Sequence, residues 1–320
     1  MKALQITGPD QAEIIDIERP VPGPGQVLVE IEAVNTCPQW DLHIMGGNSM
    51  FPGRPLHFPY SPGQPGHEAM GRVREVGEGV HDLVPGTRVA AWKDPGHDVL
   101  GSYAEFVVRD EADFLRVPEE ISAEGVASLE LAAAVQTAVE SLQRLDAVVD
   151  QRIGVSGLGN GGLIAIQIAK AEGAREVIGF DLSPARRELA LKLGADEVYD
   201  PRELTTPASR TSDEMLDAAV DSAGNGTSVQ FLMDRTRRAV ALFGVLRDDV
   251  RFGWEHWRLA LLGHPSPPYH RGTAEAALGH IIAGELDLTA LVSRTMQLSE
   301  YGEGVALLRE QKALKICFRP

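Results

Sequence analysis

Cysteine is scarce in this chain of 320 residues, which contains only Cys37 and Cys317. Two cysteines cannot form a disulfide framework or a zinc module with four cysteine ligands. No apolar run approaches the roughly 18 residues that a membrane-spanning helix needs, and the first residues lack the apolar core of a signal peptide. The sequence therefore favours a cytoplasmic globular protein without a membrane partner.

Basic residues are outnumbered: Lys and Arg total 30 against 46 Asp and Glu, a formal net charge of −16 at pH 7. Such a surface repels the phosphates of nucleic acids and anionic lipids, so we expect neither as a partner. A phosphate in a ligand must then be held locally, by backbone amides and a few arginines. The length is more than one hydrophobic core usually serves, which predicts two domains.

The first third of the chain consists of short β-rich segments separated by Gly and Pro. QVLVEIEAVN, AMGRVREVGEGV, TRVAAW and SYAEFVVRD are typical of strands, and residues 46–66 of a long loop. They predict an antiparallel, barrel-like domain. From Ser122 an Ala- and Leu-rich stretch predicts a helix, and strand-like and helix-like segments then alternate. That alternation is typical of a doubly wound parallel sheet with crossover helices, so the predicted class is α/β.

A glycine motif lies between the strand-like RIGVS and an apolar helix. In this context G-x-G-x-x-G binds the pyrophosphate of a dinucleotide: the first glycine permits a tight turn, the second admits the phosphates, and the third allows close helix–strand packing. A tight loop in an unrelated sheet is the alternative, which the flanking strand and helix disfavour. The candidate cofactor-binding residues here are Gly157, Leu158, Gly159, Asn160, Gly161 and Gly162.

Asp181 ends the next predicted strand, 24 residues after Gly157. A carboxylate at this place accepts hydrogen bonds from the ribose 2′-hydroxyl of NAD and repels the 2′-phosphate of NADP. Arg186 and Arg187 follow closely and could receive such a phosphate. We expect Asp181 to dominate, so the sequence predicts NAD in preference to NADP.

The whole chain resembles the medium-chain dehydrogenase/reductase superfamily, in its zinc-type alcohol, polyol and threonine dehydrogenase branch. The resemblance is carried by MKALQITGP, PVPGPGQVLVEIEAV, DLHIMGG, PGHEAMGRVREVGEGV, the glycine motif, KLGADEVYD and ALKICFRP. It implies a GroES-like catalytic domain at residues 1–125 and 276–320 and a Rossmann domain at residues 126–275. It also implies a homodimer or homotetramer, an alcohol or carbonyl substrate, and cofactor contacts from Ala223, Gly244 and Val245.

The resemblance further implies one catalytic zinc ion, a Lewis acid for the substrate oxygen. The family's ligand segments match Cys37, His67 and Glu130, and Glu68 is an adjacent or exchangeable fourth ligand. Each also has a simpler interpretation: Cys37 as a buried hydrophobe, His67 as a structural histidine, Glu130 as an acid at a helix N-terminus. Residues 90–105 contain no cysteine, so we expect no structural zinc.

Two departures from the family pattern surround Cys37. The family has C-x-x-D-x-H, whereas one extra residue separates Cys37 from Asp41 and His43 here. The proton-relay hydroxyl of the family is replaced by Gln39 or Trp40, depending on which end is aligned. His43 resembles the distal relay histidine, but without the hydroxyl its role reduces to binding the cofactor ribose.

Two alternative functions stay open at this point. A zinc-free NAD(P)H-dependent reductase of quinones or enones shares the fold, and Asn35 in the AVN segment fits that branch. A non-catalytic nucleotide-binding protein would explain the missing hydroxyl and the shifted cysteine. The aromatic candidates for a substrate pocket are Trp40, Phe51, Trp92, Trp254 and Trp257.

Overall fold

The computed structural model describes residues 1–50, 53, 55–207, 209 and 211–320. The chain divides into two compact units, Met1–Leu131 with Leu288–Pro320, and Ala132–Asp287. The predicted boundaries, 125/126 and 275/276, both come earlier in the chain. At the second boundary the reason is visible, because the backbone N–H of Asp287 donates to Gln167 Oε1 at 2.8 Å and so ties the end of this segment to the second unit. No helix of the described residues is long and apolar enough to cross a membrane.

The N-terminal part of the first unit is mostly strand. The strand over Gln26–Asn35 coincides with the predicted segment QVLVEIEAVN, and most of its side chains are buried. The elements are β1 (Lys2–Gly8), β2 (Gln11–Asp16), β3 (Gln26–Asn35), α1 (Pro38–Met45), β4 (Glu68–Val76), β5 (Arg88–Ala91), β6 (Phe106–Asp110) and β7 (Phe114–Arg116).

Helix α2 covers Leu129–Gln143 and begins later than the predicted start near Ser122. Ser122 Oγ accepts the backbone N–H of Gly125 at 3.0 Å, which closes a turn instead of a helical repeat. Serine side chains often compete with the helix in this way for backbone groups. The expectation of a helix across residues 122–128 was therefore wrong.

The second unit alternates strands and helices, as predicted. Its elements are β8 (Arg152–Ser156), α3 (Asn160–Ala171), β9 (Glu176–Phe180), α4 (Pro184–Lys192), β10 (Glu197–Tyr199), β11 (Leu216–Asp221), α5 (Gly226–Met233), β12 (Thr236–Leu242), β13 (Ala260–Leu262) and α6 (Arg271–Ala283).

The C-terminal residues return to the first unit. They form β14 (Val292–Gln297), α7 (Tyr301–Arg309) and β15 (Lys315–Arg319). Short 3₁₀ helices cover Glu111–Asp113, Pro201–Glu203, Trp254–His256, Thr289–Leu291 and Leu298–Glu300.

The sheet of the first unit has the order β14-β15-β3-β4-β5-β7, with β6 also paired to β3, while β1 and β2 form a separate hairpin. Strands β14 and β15 pair in parallel, and all other neighbouring strands of this sheet pair antiparallel. Strand β15 thus adds the C-terminus of the chain to the sheet built by its N-terminus. A core of buried aliphatic and aromatic side chains covers this sheet and includes Leu4, Val29, Val73, Tyr103 and Phe318.

The sheet of the second unit is parallel and has the order β10-β9-β8-β11-β12-β13. Counted from its first strand this is 3-2-1-4-5-6, the strand order of the Rossmann fold. The order reverses between β8 and β11, so the loops after these two strands diverge and leave a crevice at their carboxyl ends. Ligands of open α/β sheets bind at this point.

Candidate functional site

The glycine motif forms the turn that joins β8 to α3. Gly157 has a φ of +83°, which favours glycine, and a Cβ on it would lie 2.6 Å from the backbone nitrogen of Ala223. A Cβ on Gly162 would lie 1.9 Å from the carbonyl oxygen of Gly157, so the start of α3 packs directly on the turn. A Cβ on Gly159 would meet no protein atom within 4 Å, so the space in front of the helix N-terminus is open. The first amides of α3 are thereby accessible to an anion.

Asp181 follows β9, and both of its carboxylate oxygens accept backbone hydrogen bonds. Oδ2 accepts from Leu158 at 2.7 Å and Oδ1 accepts from Ser183 at 2.7 Å. Arg186 Nη1 lies 3.8 Å from Oδ2, while Arg187 bonds the carbonyl oxygen of Asp181 at 2.7 Å. The carboxylate is therefore fixed beside the glycine turn, and it also helps to hold that turn.

Asp221 ends β11 on the other side of the crevice. Its carbonyl oxygen accepts the N–H groups of Phe243 and Gly244 at 2.9 and 2.8 Å. Its carboxylate accepts from Gly224 N at 2.9 Å and from Ser228 Oγ at 2.6 Å. Burial raises the pKa of this carboxyl group, while the hydrogen bonds oppose the rise. The loops that carry the predicted cofactor contacts Ala223, Gly244 and Val245 are thus joined to each other through Asp221.

In the first unit, Cys37, His67 and Glu68 converge. Cys37 is the residue before α1, and Pro38 starts the helix. His67 precedes β4, and Glu68 is the first residue of that strand. One ligand atom from each of the three lies within 4.8 Å of the other two. The extra residue before Asp41 therefore does not prevent Cys37 from reaching His67.

Two contacts orient the imidazole of His67. Nδ1 lies 2.9 Å from the carbonyl oxygen of Pro65, which directs Nε2 to the other side, 3.7 Å from Glu130 Oε2. A separation of 3.7 Å is too long for a hydrogen bond. It is close to the ~3.4 Å between two ligand atoms that each lie about 2.1 Å from a tetrahedral ion. Burial lowers the pKa of His67, but Cys37 and Glu130 outweigh it and leave the pKa raised.

Glu68 is fully buried and is paired with Lys315 of β15, which is also fully buried. Lys315 Nζ donates to Glu68 Oε2 and, at 2.6 Å, to the carbonyl oxygen of Thr36. Among the described residues, Glu68 Oε1 has no hydrogen-bond partner. A buried carboxylate oxygen without a donor is costly. Its place beside a thiol and an imidazole fits a cation, and this mixed set of donors is one that zinc accepts.

Gln39 and Trp40, the two residues that align with the relay hydroxyl of the family, differ in burial, and Trp40 is half-buried against the core. Gln39 is exposed and its carbonyl oxygen lies 2.7 Å from Nδ1 of His43. Neither Gln39 nor Trp40 has an aliphatic hydroxyl to replace the one that the family uses.

Asp41 is a buried carboxylate that the sequence did not single out as functional. Its Oδ1 accepts hydrogen bonds from Tyr103 OH at 2.8 Å and Tyr301 OH at 2.7 Å. Burial raises the pKa of Asp41 to about 6, although the two hydroxyls and the charge on His67 lower it. The tyrosines come from distant parts of the chain, so the only signal in the sequence was the position of Asp41 in the D-x-H segment.

The remaining candidate residues differ in how far their side chains are exposed. Trp92 is buried and its indole N–H donates to Ala112 O at 2.8 Å, whereas Trp254 and Trp257 are 85% and 69% exposed. Phe51 lies outside the described residues. Asn35 is buried and donates to Ser128 Oγ at 2.9 Å, a structural contact that does not distinguish the zinc-free branch.

Comparison with known proteins bears on this arrangement. A model of the alcohol dehydrogenase GroES-like domain matches residues 23–119, and one of the zinc-binding dehydrogenases matches residues 162–256. An L-threonine 3-dehydrogenase of Pyrococcus abyssi is 33% identical, with 99% of this chain and 98% of the relative aligned. The (R,R)-butanediol dehydrogenase of Bacillus subtilis is 29% identical, with both chains fully aligned.

A solved structure described as a zinc-binding dehydrogenase of Sinorhizobium meliloti 1021 bound to NADP is 22% identical. It has a TM-score of 0.84, and the match covers 100% of this chain and 99% of that one. At this identity the match supports the fold alone, which agrees with the Rossmann strand order and the barrel-like first unit. The chain belongs to the zinc-type medium-chain dehydrogenase/reductase superfamily, as its sequence motifs predicted.

Proposed function

We propose that this protein is a zinc-dependent oxidoreductase that transfers a hydride between NAD(H) and a secondary alcohol, polyol or sugar-like substrate and its carbonyl. The observation that carries the proposal is the convergence of Cys37, His67 and Glu68, with Glu130 against His67. Family membership supports it, because the relatives named above are dehydrogenases of a diol and of a hydroxylated amino acid.

One zinc ion held by Cys37, His67 and Glu130, with Glu68 adjacent or as a fourth ligand, would supply a Lewis acid for the substrate oxygen. The protein groups around it prepare the site. Pro65 fixes the ring of His67 so that Nε2 points towards Glu130, and Lys315 balances the charge of Glu68. Such outer contacts orient the ligands and hold their protonation states.

The cofactor half of the proposal rests on the second unit. The amides at the start of α3 and the open space at Gly159 suit a pyrophosphate. The fixed carboxylate of Asp181 suits the ribose hydroxyls of NAD, so we propose a preference for NAD over NADP of at least roughly tenfold.

Asp181→Asn tests this preference, because it removes the charge and keeps an acceptor for one of the two backbone bonds. The ratio of kcat/KM for the two cofactors should narrow or reverse, with Arg186 then able to meet the 2′-phosphate. Equal efficiency with both cofactors in the unmodified protein would refute the preference.

A panel of substrates tests the reaction itself. We expect NAD-linked oxidation of secondary alcohols and diols, and no comparable reduction of quinones or enones by NADH. Turnover of quinones or enones alone would favour the zinc-free reductase, and absence of all turnover would favour a nucleotide-binding protein.

We also propose a homodimer or homotetramer. Strand β13 lies at one edge of the parallel sheet, and its exposed backbone groups are a liability unless they are paired. Trp254 and Trp257, exposed nearby in sequence, add apolar surface. Light scattering should give a mass of at least twice 34.5 kDa, and a monomer at micromolar concentration would contradict this.

A further inference from the structure

Asp221 is the last residue of β11 and lies between the two loops that carry the predicted cofactor contacts. Its backbone carbonyl oxygen accepts the N–H groups of Phe243 and Gly244, which belong to the loop after β12. Its carboxylate accepts the backbone N–H of Gly224 at 2.9 Å. Asp221 therefore holds the loop after β12 through its main chain and the loop after β11 through its side chain.

The second carboxylate oxygen of Asp221 is connected to the glycine turn through two hydroxyl groups. Ser228, in the first turn of α5, donates to Asp221 Oδ1 at 2.6 Å, and its Oγ lies 2.7 Å from Ser156 Oγ. Because the proton of Ser228 is engaged by the carboxylate, Ser156 is the donor between the two hydroxyls. Ser156 ends β8, directly before Gly157. This chain of hydrogen bonds joins β8, α5 and β11 at their ends nearest the crevice.

The two loops also touch each other through their backbones. A Cβ on Gly244 would lie 2.4 Å from the backbone nitrogen of Gly224, so a shift of one loop would move the other. Val245, the next residue, is 48% exposed, whereas Asp221 is fully buried. Asp221 therefore acts on a ligand in the crevice only through the loops that it holds.

The nicotinamide half of a dinucleotide should lie over these loops. Asp181, which follows β9, is the candidate for binding the adenosine ribose, and a dinucleotide extends from there across the point where the strand order reverses. The other half then reaches the ends of β11 and β12. The adenosine side has its own support, because Asp181 accepts backbone hydrogen bonds from Leu158 and Ser183.

We propose that Asp221 is a positioning residue that sets the loops after β11 and β12 for the nicotinamide half of the cofactor. A ligand binds more tightly to groups that are already in place, because binding need not order them. Loss of the Asp221 carboxylate should therefore weaken the binding of the nicotinamide half selectively. This inference rests on the proposed use of NAD(H) and assigns the preparation of one end of its site to a residue that does not touch it.

The test compares the affinities for NADH and for ADP-ribose, which lacks the nicotinamide, by calorimetric titration. Asp221→Ala should weaken NADH binding roughly tenfold and ADP-ribose binding less than about twofold. Asp221→Asn should restore most of the NADH affinity, because its amide oxygen can accept from Gly224 and the hydroxyl of Ser228 can turn to accept its amide N–H.

Asp217→Ala is the matched control on the same strand. Asp217 lies towards the opposite end of β11, where it accepts the backbone N–H of Arg152 at 2.9 Å and Nη1 of Arg237 at 3.1 Å. Its loss removes a hydrogen-bonded carboxylate without touching the loops, so the ratio of the two affinities should stay within about twofold of the parent. Ser228→Ala should shift the ratio in the same direction as Asp221→Ala, by roughly threefold, and provides the test alone if Asp221→Ala does not fold.

The outcomes separate this inference from the proposed function. An equal loss of NADH and ADP-ribose affinity in Asp221→Ala, or an unchanged ratio in Ser228→Ala, overturns the positioning role while NADH binding by the parent upholds the proposed cofactor. NADH binding as weak in Asp221→Asn as in Asp221→Ala also overturns it, because hydrogen bonds would not be the cause. A parent that binds neither ligand overturns the proposed cofactor and this inference with it.

Discussion

The glycine turn and the proposed metal site, formed by Cys37, His67, Glu68 and Glu130, are built in different ways. Gly157, Gly159 and Gly162 lie within six consecutive residues of the turn between β8 and α3, and Asp181 supports that turn through one hydrogen bond to Leu158. Cys37 converges with His67 and Glu68 from a separate segment of the chain, and Glu130, from a third segment, lies near His67, so this arrangement depends on tertiary packing. One site is a property of local backbone conformation, the other of tertiary structure.

The two sites also differ in the groups that stabilise their carboxylates. Asp181, whose side chain is 9% exposed, receives one backbone hydrogen bond on each carboxylate oxygen. Glu68 and Asp41 are fully buried and rely on Lys315 and on two tyrosines. Buried charges need partners far more than exposed ones do. The proposed metal site should therefore be the more easily disrupted of the two sites, and the predictions below test that contrast.

The largest effect is expected for His67→Ala. The substitution removes the imidazole that is proposed to bind the metal. The value of kcat/KM for alcohol oxidation should therefore fall at least ~1,000-fold, which corresponds to a loss of about 4 kcal/mol of transition-state stabilisation. Binding of NADH, measured by fluorescence titration, should change less than about twofold because the glycine turn is untouched. His81→Ala, at an exposed histidine, is the matched control. Retained turnover in His67→Ala would remove this residue from the mechanism.

The second-largest effect is expected when the positive charge of the buried Lys315 is removed. Lys315→Met leaves the carboxylate of Glu68 buried without its partner, which should lower the free energy of unfolding by roughly 3–5 kcal/mol. The double variant with Glu68→Gln should recover much of that loss. Urea unfolding measures both, and Lys192→Met, which breaks an exposed pair with Glu188, should leave the curve unchanged. An equal, small effect of the two lysine variants would refute the role of burial.

Asp41 provides a pH test of the same region. Because its pKa rises from 3.8 to about 6 on folding, the neutral form is favoured in the folded state. The contribution of the Asp41 carboxyl group to the free energy of unfolding is therefore fully present below about pH 4 and is lost as pH rises through about 6. Asp41→Asn should match the parent near pH 4 and exceed its unfolding free energy by about 3 kcal/mol at pH 7.

This comparison requires chelator-treated protein, because a cation beside His67 would favour the ionised form of Asp41 and reduce the difference. Urea unfolding across the pH range, with and without zinc, reports both effects. A difference between Asp41→Asn and the parent that does not vary with pH would contradict the assignment.

The smallest effects concern the glycine turn. Gly162→Ala places a methyl group against the carbonyl oxygen of Gly157, and should cost about 1–3 kcal/mol of stability. Gly159→Ala meets no protein atom, so the melting temperature should persist while NADH binding weakens roughly tenfold. Thermal unfolding and NADH titration of the two variants test both expectations. If Gly159→Ala binds NADH as tightly as the parent, the pyrophosphate does not lie there.

The same contrast explains what the sequence made predictable. The parallel sheet with crossover helices and the glycine turn follow from short-range patterns, since strand, turn and helix are contiguous, whereas the Rossmann domain was implied by the family resemblance. Cys37 was predicted as a metal ligand in spite of its irregular spacing from Asp41. Only the structure, in which α1 starts at Pro38, shows how Cys37 reaches His67. Lys315, Tyr103 and Tyr301 gave no signal, because each acts through contacts made across a large separation in the chain. The start of α2 was predicted too early because composition does not reveal the turn at Ser122.

The central claim is that Cys37, His67 and Glu130 hold a catalytic metal, and elemental analysis tests it most directly. Zinc should be quantified in protein purified without added metal, for the parent, for Cys37→Ser and for Glu130→Gln, with Cys317→Ser, at the buried cysteine outside the proposed ligand set, as the control. The account predicts about one zinc per chain in the parent and in the control, and a clear loss in the other two. A parent that contains no zinc, takes none up and still turns over would contradict it.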